Sequence, residues 1–277
     1  MKSIAFVILC AAIASGQANN SAPSQPSAAE PPAQSIPVDQ ENARKAKAVL
    51  DQMIQALGGD AYLHLRDMSQ EGRTYSFHLG EPTGVGVQFW RFYKFPDQER
   101  IELTKKRDVI EVFHGDQGFE ITYKGTRAYD PKELTDSLRR REFSLDWILR
   151  NWLIEPGIAL FYEGATVAEQ KDVQQVTIMN ARNQAVTIYI NSTTHLPVKK
   201  TFSWRDPTDK QRNIEGEVYD NYRPVQGVMT PFDVARYYNG DMSNQRFLTS
   251  VTYNTGLSDS LFAAAVTYDP GKPASRK

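Results

Sequence analysis

The sequence predicts a protein that is mainly β with some α structure. Its core is expected to be one large curled antiparallel sheet, a half-open incomplete β-barrel that helices cover on its concave side. Three observations lead to this prediction. Apolar residues recur at every second position over most of the chain after Leu65, which is the period of half-buried strands. Short glycine turns separate these segments, and only two long stretches show helical spacing. A dozen strands are too many for a flat sheet.

Length and composition are those of an ordinary folded protein. The chain has 277 residues, of which 40% are hydrophobic and 23% charged, and this composition supports a substantial core in one large domain or two small ones. The formal net charge is −1. A charge so close to zero gives no electrostatic basis for binding nucleic acid or an anionic membrane surface. We therefore expect no nucleic-acid partner, and we expect a monomer.

The N-terminus predicts export. Residues 1–16 combine a lysine, an apolar run and small residues ahead of Gln17, the pattern of a cleavable signal peptide. Residues 17–37 are a tract of Ser, Ala, Pro and Gln without periodicity, which predicts a disordered tether. Cys10 is the only cysteine and lies within the apolar run. A mature chain without disulfides fits a bacterial periplasm.

The main domain is predicted over residues 38–264 and a flexible tail over 265–277. The domain begins with a helix that Asp39 can cap and that Gly58-Gly59 ends. Along this helix, apolar residues follow the helical repeat: Ala43, Ala46, Val49, Leu50, Met53, Ile54 and Leu57. A second helical segment is expected between Pro131 and Glu155.

The strands are predicted in two groups on either side of that second helical segment. Short connections within each group indicate an antiparallel meander. The first group is 66–79, 84–95, 98–105, 108–114 and 118–124, and the second is 158–169, 172–180, 184–191, 196–205, 213–222, 231–239 and 244–254. Leu257 to Phe262 predicts a final helical turn.

One predicted strand has a bulky apolar face and a polar face. In the stretch from Pro197 to Arg205, the first face carries Val198, Lys200, Phe202 and Trp204. We expect this face to point into the curl of the sheet, against the helices or a ligand. The chain also carries more aromatic bulk than packing a single helix needs, so a cavity is an alternative to a filled core. The side chains predicted to line it are Trp90, Phe92, Phe119, Tyr189, Phe202 and Trp204.

Three short motifs occur in order along this exported, β-rich chain. They are Ala56-Leu57-Gly58-Gly59 at the end of the first helix, Thr194-His195-Leu196-Pro197-Val198-Lys199 at a turn, and Leu257-Ser258-Asp259-Ser260-Leu261-Phe262 near the end. Together they resemble the LolA/LolB-like superfamily, and more closely its divergent outer membrane lipoprotein-sorting group, over roughly residues 40–262. The resemblance implies a half-open barrel covered by helices, with an apolar cavity that shields acyl chains.

The resemblance also implies that the protein is a non-enzymatic periplasmic carrier that binds acyl chains of lipoproteins or free lipid. Its partners would be inner- and outer-membrane lipoprotein transport proteins. The long tether and the enlarged segment from Pro131 to Gly164 depart from the founding members and leave the cargo open. A lipid or lipoprotein sensor of the same fold and an outer-membrane-associated β protein are alternatives.

Little in the sequence indicates catalysis. The four histidines, His64, His78, His114 and His195, have neither metal-ligand nor triad spacing, and no Gly-x-Ser-x-Gly elbow or phosphate-binding loop occurs. We therefore expect no cofactor, no metal and no catalytic residue. An envelope hydrolase would need a set of residues that converge only in the fold.

Two cations lie on apolar strand faces. Arg91 alternates with Phe89 and Tyr93, and Lys200 alternates with Val198 and Phe202. A buried charge without a partner is costly, so each needs a partner or a route to solvent. We consider two alternatives: one of these cations latches a helix over the cavity by hydrogen-bonding backbone carbonyls, or both reach solvent at the rim.

Overall fold

A computed structural model describes residues 38–271 of the chain. The predicted signal peptide, Cys10 and the predicted tether lie outside the described residues, as does the end of the predicted tail. No helix between residues 38 and 271 is both long and apolar enough to span a membrane.

The first helix, α1, runs from Val38 to Leu57 and buries one face. The buried side chains follow the helical repeat and are Ala46, Val49, Leu50, Met53 and Leu57. Each large apolar side chain among them contributes roughly 1.5–3 kcal/mol of burial free energy. Gly58, with φ of 128°, ends the helix. A Cβ at Gly58 would lie 2.5 Å from the carbonyl oxygen of Gly227, so only glycine fits there.

After the single-turn helix α2 (Asp60–Leu63), the chain forms the first half of the sheet. Its strands are β1 (Asp67–His78), the two-residue β2 (Glu81–Pro82), β3 (Val87–Lys94), β4 (Gln98–Leu103), β5 (Val109–His114), β6 (Gln117–Thr122) and β7 (Gly125–Ala128). The sequence did not predict β2 or β7, because two to four residues are too few to show a period of two.

The second helical segment is broken into short pieces. Helix α3 (Pro131–Glu142) begins at Asp130, whose side chain accepts hydrogen bonds from the backbone N–H groups of Lys132 and Glu133. Helix α4 (Leu145–Arg150) and a 3-10 turn (Trp152–Ile154) follow.

The remaining strands form the second half of the sheet. They are β8 (Ala159–Ala168), β9 (Lys171–Met179), β10 (Ala185–Asn191), β11 (Pro197–Arg205), β12 (Arg212–Val225), β13 (Val228–Tyr238) and β14 (Asp241–Tyr253). All the strands belong to one antiparallel sheet, in the order β7-β6-β5-β4-β3-β1-β14-β13-β12-β11-β10-β9-β8, with β2 paired to β1.

This order explains why the sheet stays open. Strand β1 pairs with β14, so the first and last strands are neighbours in the middle of the sheet. The edges are β7 and β8, and α3 and α4 lie between these two strands in the chain. In the described part of the chain the edges do not pair, and the predicted fold class, an open curled antiparallel sheet with a few helices, is confirmed.

The inner face of the sheet is the face that packs against the helices. Helix α1 contacts β8, β9 and β13. The inner face of β10, next to β9, carries Val186, Ile188 and Ile190, which are fully buried in the same cluster as the buried face of α1. The alternate residues of each strand form the outer face.

The C-terminal segment is tied to the other half of the sheet. The Asp67 carboxylate accepts hydrogen bonds from the backbone N–H groups of Thr255, Gly256 and Leu257 at 2.7–3.4 Å. A 3-10 helix then covers Asp259–Phe262, where a helical turn was predicted, and contacts β4 and β5.

The ordered structure continues past residue 264, the predicted end of the domain. The backbone N–H groups of Thr267 and Tyr268 donate to the Thr126 carbonyl oxygen at 2.8 and 3.2 Å.

Candidate ligand-binding cavity

A large cavity lies between the inner face of the sheet and helices α2, α3 and α4. Its volume is about 1250 Å³. This is at or above the upper end of the range for small-molecule sites, roughly 300–1,000 Å³. Part of its wall is apolar and includes Leu57, Leu65, Met68, Phe89, Tyr93, Phe113, Phe202, Val228, Leu248 and Tyr253. Another part is charged and extends beyond Arg91 and Lys200, the two cations expected on apolar strand faces.

Only two of the six predicted lining residues face this cavity. Phe202 and Trp204 lie on the inner face of β11 and line it. Phe202 stacks on Phe143, with ring centroids 4.2 Å apart. The Arg139 guanidinium lies 3.5 Å from the centroid of the Trp204 ring. The Trp204 indole N–H is buried and has no hydrogen-bond partner among the described residues.

The other four predicted lining residues lie on the outer face. On β3, Phe89, Arg91 and Tyr93 line the cavity, so Trp90 and Phe92 point the other way. Trp90 instead lies beside Arg107, whose guanidinium is 4.0 Å from the centroid of the ring. The placement of Trp90 and Phe92 in the cavity is therefore corrected.

The same correction applies to Phe119 and Tyr189. Phe119 is paired across β5 and β6 with Val112, whose neighbours Glu111 and Phe113 line the cavity. Tyr189 is paired with Lys199 of β11, and Lys199 is the outer-face neighbour of Lys200. Directly paired residues share a face, so both aromatic rings lie outside the cavity.

Lys200 is buried on the inner face, with 1% of its surface exposed, so it does not reach solvent at a rim. Its Nζ donates a hydrogen bond of 2.5 Å to the carbonyl oxygen of Phe143, the residue that ends α3. Nζ also lies 3.1 Å from Oε2 of Glu217, so the buried ammonium has both a carboxylate and a helix carbonyl as partners.

Glu217 is shared by several donors. Arg236 lies 3.1 Å from its Oε1, and the Tyr219 hydroxyl donates to Oε2 at 2.8 Å. Burial alone raises the pKa of Glu217, but the positive charges of Lys200, Arg236 and Arg246 outweigh it and hold the pKa well below its ordinary value. Glu217 is therefore an ionised carboxylate inside the cavity.

Arg91 is held within the sheet and does not contact a helix carbonyl. Its Nε donates to Glu99 at 2.5 Å, and its Nη1 donates to the Gln70 side chain at 3.3 Å. Burial raises the pKa of Glu99, but the charge and hydrogen bond of Arg91, together with the charges of Arg246 and Arg236, outweigh this effect and lower the pKa. Of the two proposed latch residues, only Lys200 bonds to the backbone of a helix.

Arg246 is one of several charged residues of the cavity that sequence reasoning missed. It lies on β14, and its strand neighbours on either side along the inner face, Asn244 and Leu248, also line the cavity. Its Nε is buried, and between residues 38 and 271 the side chain has neither a hydrogen bond nor an ion pair. Because side chains alternate between the two faces of a strand, Arg246 shares a face of β14 with Leu248. This alternation could have identified Arg246 from the sequence.

Titratable side chains in the cavity do not form a metal site. No group of three or more His, Cys, Asp or Glu residues within residues 38–271 is arranged to hold a metal ion.

Comparison with known proteins identifies the fold. No family model matches the sequence, and no curated protein matches it. Three solved structures cover 79–80% of this chain and 97% of their own. A DUF1329 family protein from Desulfovibrio piger has 13% identity and a TM-score of 0.53. A domain assigned to outer membrane lipoprotein sorting, from Vibrio parahaemolyticus, has 11% identity and a TM-score of 0.51. A LolA superfamily protein from Nitrosomonas europaea has 11% identity and a TM-score of 0.49.

What these chains share with this protein at such identities is the fold. The open curled sheet and its covering helices are the fold of the DUF1329 family protein and of the lipoprotein-sorting domain, so the resemblance drawn from the three sequence motifs is confirmed at the level of the fold.

Proposed function

We propose that this protein is a non-enzymatic periplasmic carrier that binds the acyl chains of lipoproteins or lipids. The observation that supports the proposal is the cavity of about 1250 Å³ between the inner face of the sheet and the helices. Export is supported by the signal-peptide pattern of residues 1–16.

The apolar part of the cavity wall is sufficient to hold an acyl chain. Each methylene group that leaves water contributes about 0.8 kcal/mol, so a long chain gains on the order of 10 kcal/mol before the cost of ordering it. Phe202 and Trp204 offer ring surface for this burial. Binding of this kind needs no catalytic motif, in agreement with the absence of one from the sequence.

Replacing Trp204 tests the proposal. Trp204→Ala enlarges a cavity that already exists, so we expect it to cost less than the roughly 3–5 kcal/mol lost when an aromatic side chain is removed from a filled core. We expect binding of a fluorescent fatty-acid analogue to weaken at least tenfold. Urea unfolding and fluorescence titration of the same protein measure the two effects.

Trp90→Ala is the matched control. Trp90 lies on the outer face of β3, outside the cavity, so its loss leaves binding unchanged. If wild-type protein does not bind the analogue, the carrier proposal is wrong. If both variants bind as the wild type does, Trp204 does not line the binding site. Mass spectrometry of lipid that co-purifies from the native periplasm then identifies the cargo.

A further inference from the structure

Eight basic and eight acidic side chains line the cavity, but these charges are not all paired with one another. Glu99 is already paired with Arg91, and Glu217 is already paired with Lys200 and Arg236. In the described part of the chain, no carboxylate pairs with Arg246.

Arg140, on the opposite wall, is the second arginine of this kind. It lies on α3, lines the cavity, and makes one hydrogen bond, from Nη2 to the Ser137 hydroxyl at 3.2 Å. No acidic side chain within residues 38–271 forms an ion pair with it. Burial and the positive charge of Arg236 lower the pKa of both Arg140 and Arg246.

Arg246 remains charged at neutral pH. Burial, followed by the positive charges of Arg236 and Arg91, lowers the pKa of Arg246 to about 9. A guanidinium that is buried and charged without a partner costs stability. Such a group in a cavity wall is expected to have a partner outside the chain. Carboxylates and phosphates are suitable partners, because they accept two parallel hydrogen bonds from one guanidinium.

The surroundings of Arg246 indicate what carries that anion. Leu248 follows it on the inner face of β14, Val234 is its cross-strand partner on β13, and Met68, Phe89 and Phe202 lie elsewhere in the wall of the same cavity. An inorganic ion would leave this apolar surface without a partner. An amphiphile contacts the apolar wall with its chain and the arginines with its head group.

We propose that Arg246, together with Arg236 and Arg140, binds the anionic head group of an amphiphile, a carboxylate or a phosphate, whose apolar part lies in the cavity. The inference rests on the proposed function and specifies its ligand.

Three probes with the same chain and different head groups test it: dodecanol, dodecanoate and dodecyl phosphate, each below its micellar concentration. Displacement of the neutral dye N-phenyl-1-naphthylamine measures their affinity, and inorganic phosphate is the fourth probe. Wild-type protein is expected to bind both anionic probes at least tenfold more tightly than dodecanol. Arg246→Gln should abolish this preference, leave dodecanol affinity within twofold, and not lower the melting temperature.

Arg73→Gln is the control, since Arg73 is exposed on the outer face of β1, beside Thr74, the cross-strand partner of Arg246. It should keep the preference intact. If Arg246→Gln does not fold, Arg140→Gln takes its place, with the same selective loss expected.

The outcomes separate the two proposals. If wild-type protein binds dodecanol and dodecanoate equally, the head-group inference is wrong and the carrier proposal stands. If no probe with a dodecyl chain binds, both are wrong. If the arginine variants lose affinity for all probes equally, the arginines have a structural role and the inference is wrong. If inorganic phosphate displaces the dye at the concentrations at which dodecyl phosphate does, the site binds the free anion, and the proposal that the ligand is an amphiphile is wrong.

Discussion

Lys200 connects the sheet to the end of helix α3. Its Nζ donates to the Phe143 carbonyl oxygen at 2.5 Å, and its strand neighbour Phe202 stacks on the Phe143 ring. Both contacts hold the same residue, so the position of Phe143 depends on the inner face of β11. The hypothesis that Lys200 latches a helix over the cavity stays a proposal, and this geometry supports it.

Replacing Lys200 with methionine tests that role. Lys200→Met keeps most of the volume of the side chain and leaves Glu217 paired with Arg236, so we expect a loss of about 2 kcal/mol rather than the 3–5 kcal/mol typical of a broken buried ion pair. If the latch exists, fluorescent fatty-acid affinity changes as well. Lys199→Met is the control, because Lys199 forms an ion pair on the outer face and should cost about 0–1 kcal/mol. Unchanged affinity in Lys200→Met would rule out the latch.

The pKa of Glu217 predicts how stability depends on pH. Because its pKa is lower in the folded protein than its ordinary value of 4.5, the ionised carboxylate stabilises the fold fully above about pH 4.5, and this contribution is lost as the pH falls further. Glu217→Gln should be less stable than wild type at pH 7 and lose less stability between pH 5 and pH 3. Urea unfolding across this range measures both slopes, and parallel curves would contradict the assignment.

Helices α1 and α3 differ in how they are attached. Five side chains of α1 are buried, whereas none of α3 is. Helix α3 is held by polar contacts, including Arg139 with Glu215 at 2.8 Å and Arg141 with the Asp97 carbonyl oxygen at 3.3 Å. It is therefore the element best suited to move when a ligand enters the cavity.

Hydrogen exchange tests this difference. Because few apolar contacts oppose local opening, backbone amides of α3 should exchange at least tenfold faster than those of the centre of α1. Exchange followed by mass spectrometry measures both helices in one sample, so α1 is the internal reference. Equal protection of the two helices would show that α3 is a fixed wall of the cavity.

At the scale of the whole molecule, the described fold begins at Val38. Residues 17–37 lack apolar content to bury. A chain starting at Val38 should therefore melt within a few degrees of one starting at Gln17. A chain starting at Ala48 is the contrasting variant, because it also loses buried Ala46 and Asn42, whose amide exchanges two 2.8 Å hydrogen bonds with the Tyr162 backbone. A large drop in melting temperature for the chain starting at Val38 would contradict the prediction.

The sequence by itself determined the elements that depend on neighbouring residues. The helical repeat of α1, the glycines that end it, and the alternation of the long strands are local properties, and the structure has these elements where they were predicted. The sequence also indicated which face of β11 is internal, because Val198, Phe202 and Trp204 alternate with polar residues.

Only the tertiary structure decided which face of the other strands is internal. A period of two separates two faces but does not say which one meets the helices, and on β3 both faces carry aromatic rings. Trp90 lies against Arg107 on the outer face, where the sequence offered no reason to expect a partner. The unpaired arginines of the cavity have the same origin, since Arg246 and Arg140 are far apart in the chain and lie on different elements. Whether a cation has a carboxylate beside it depends on cross-strand register and on the path of α3, and neither is a local property of the sequence.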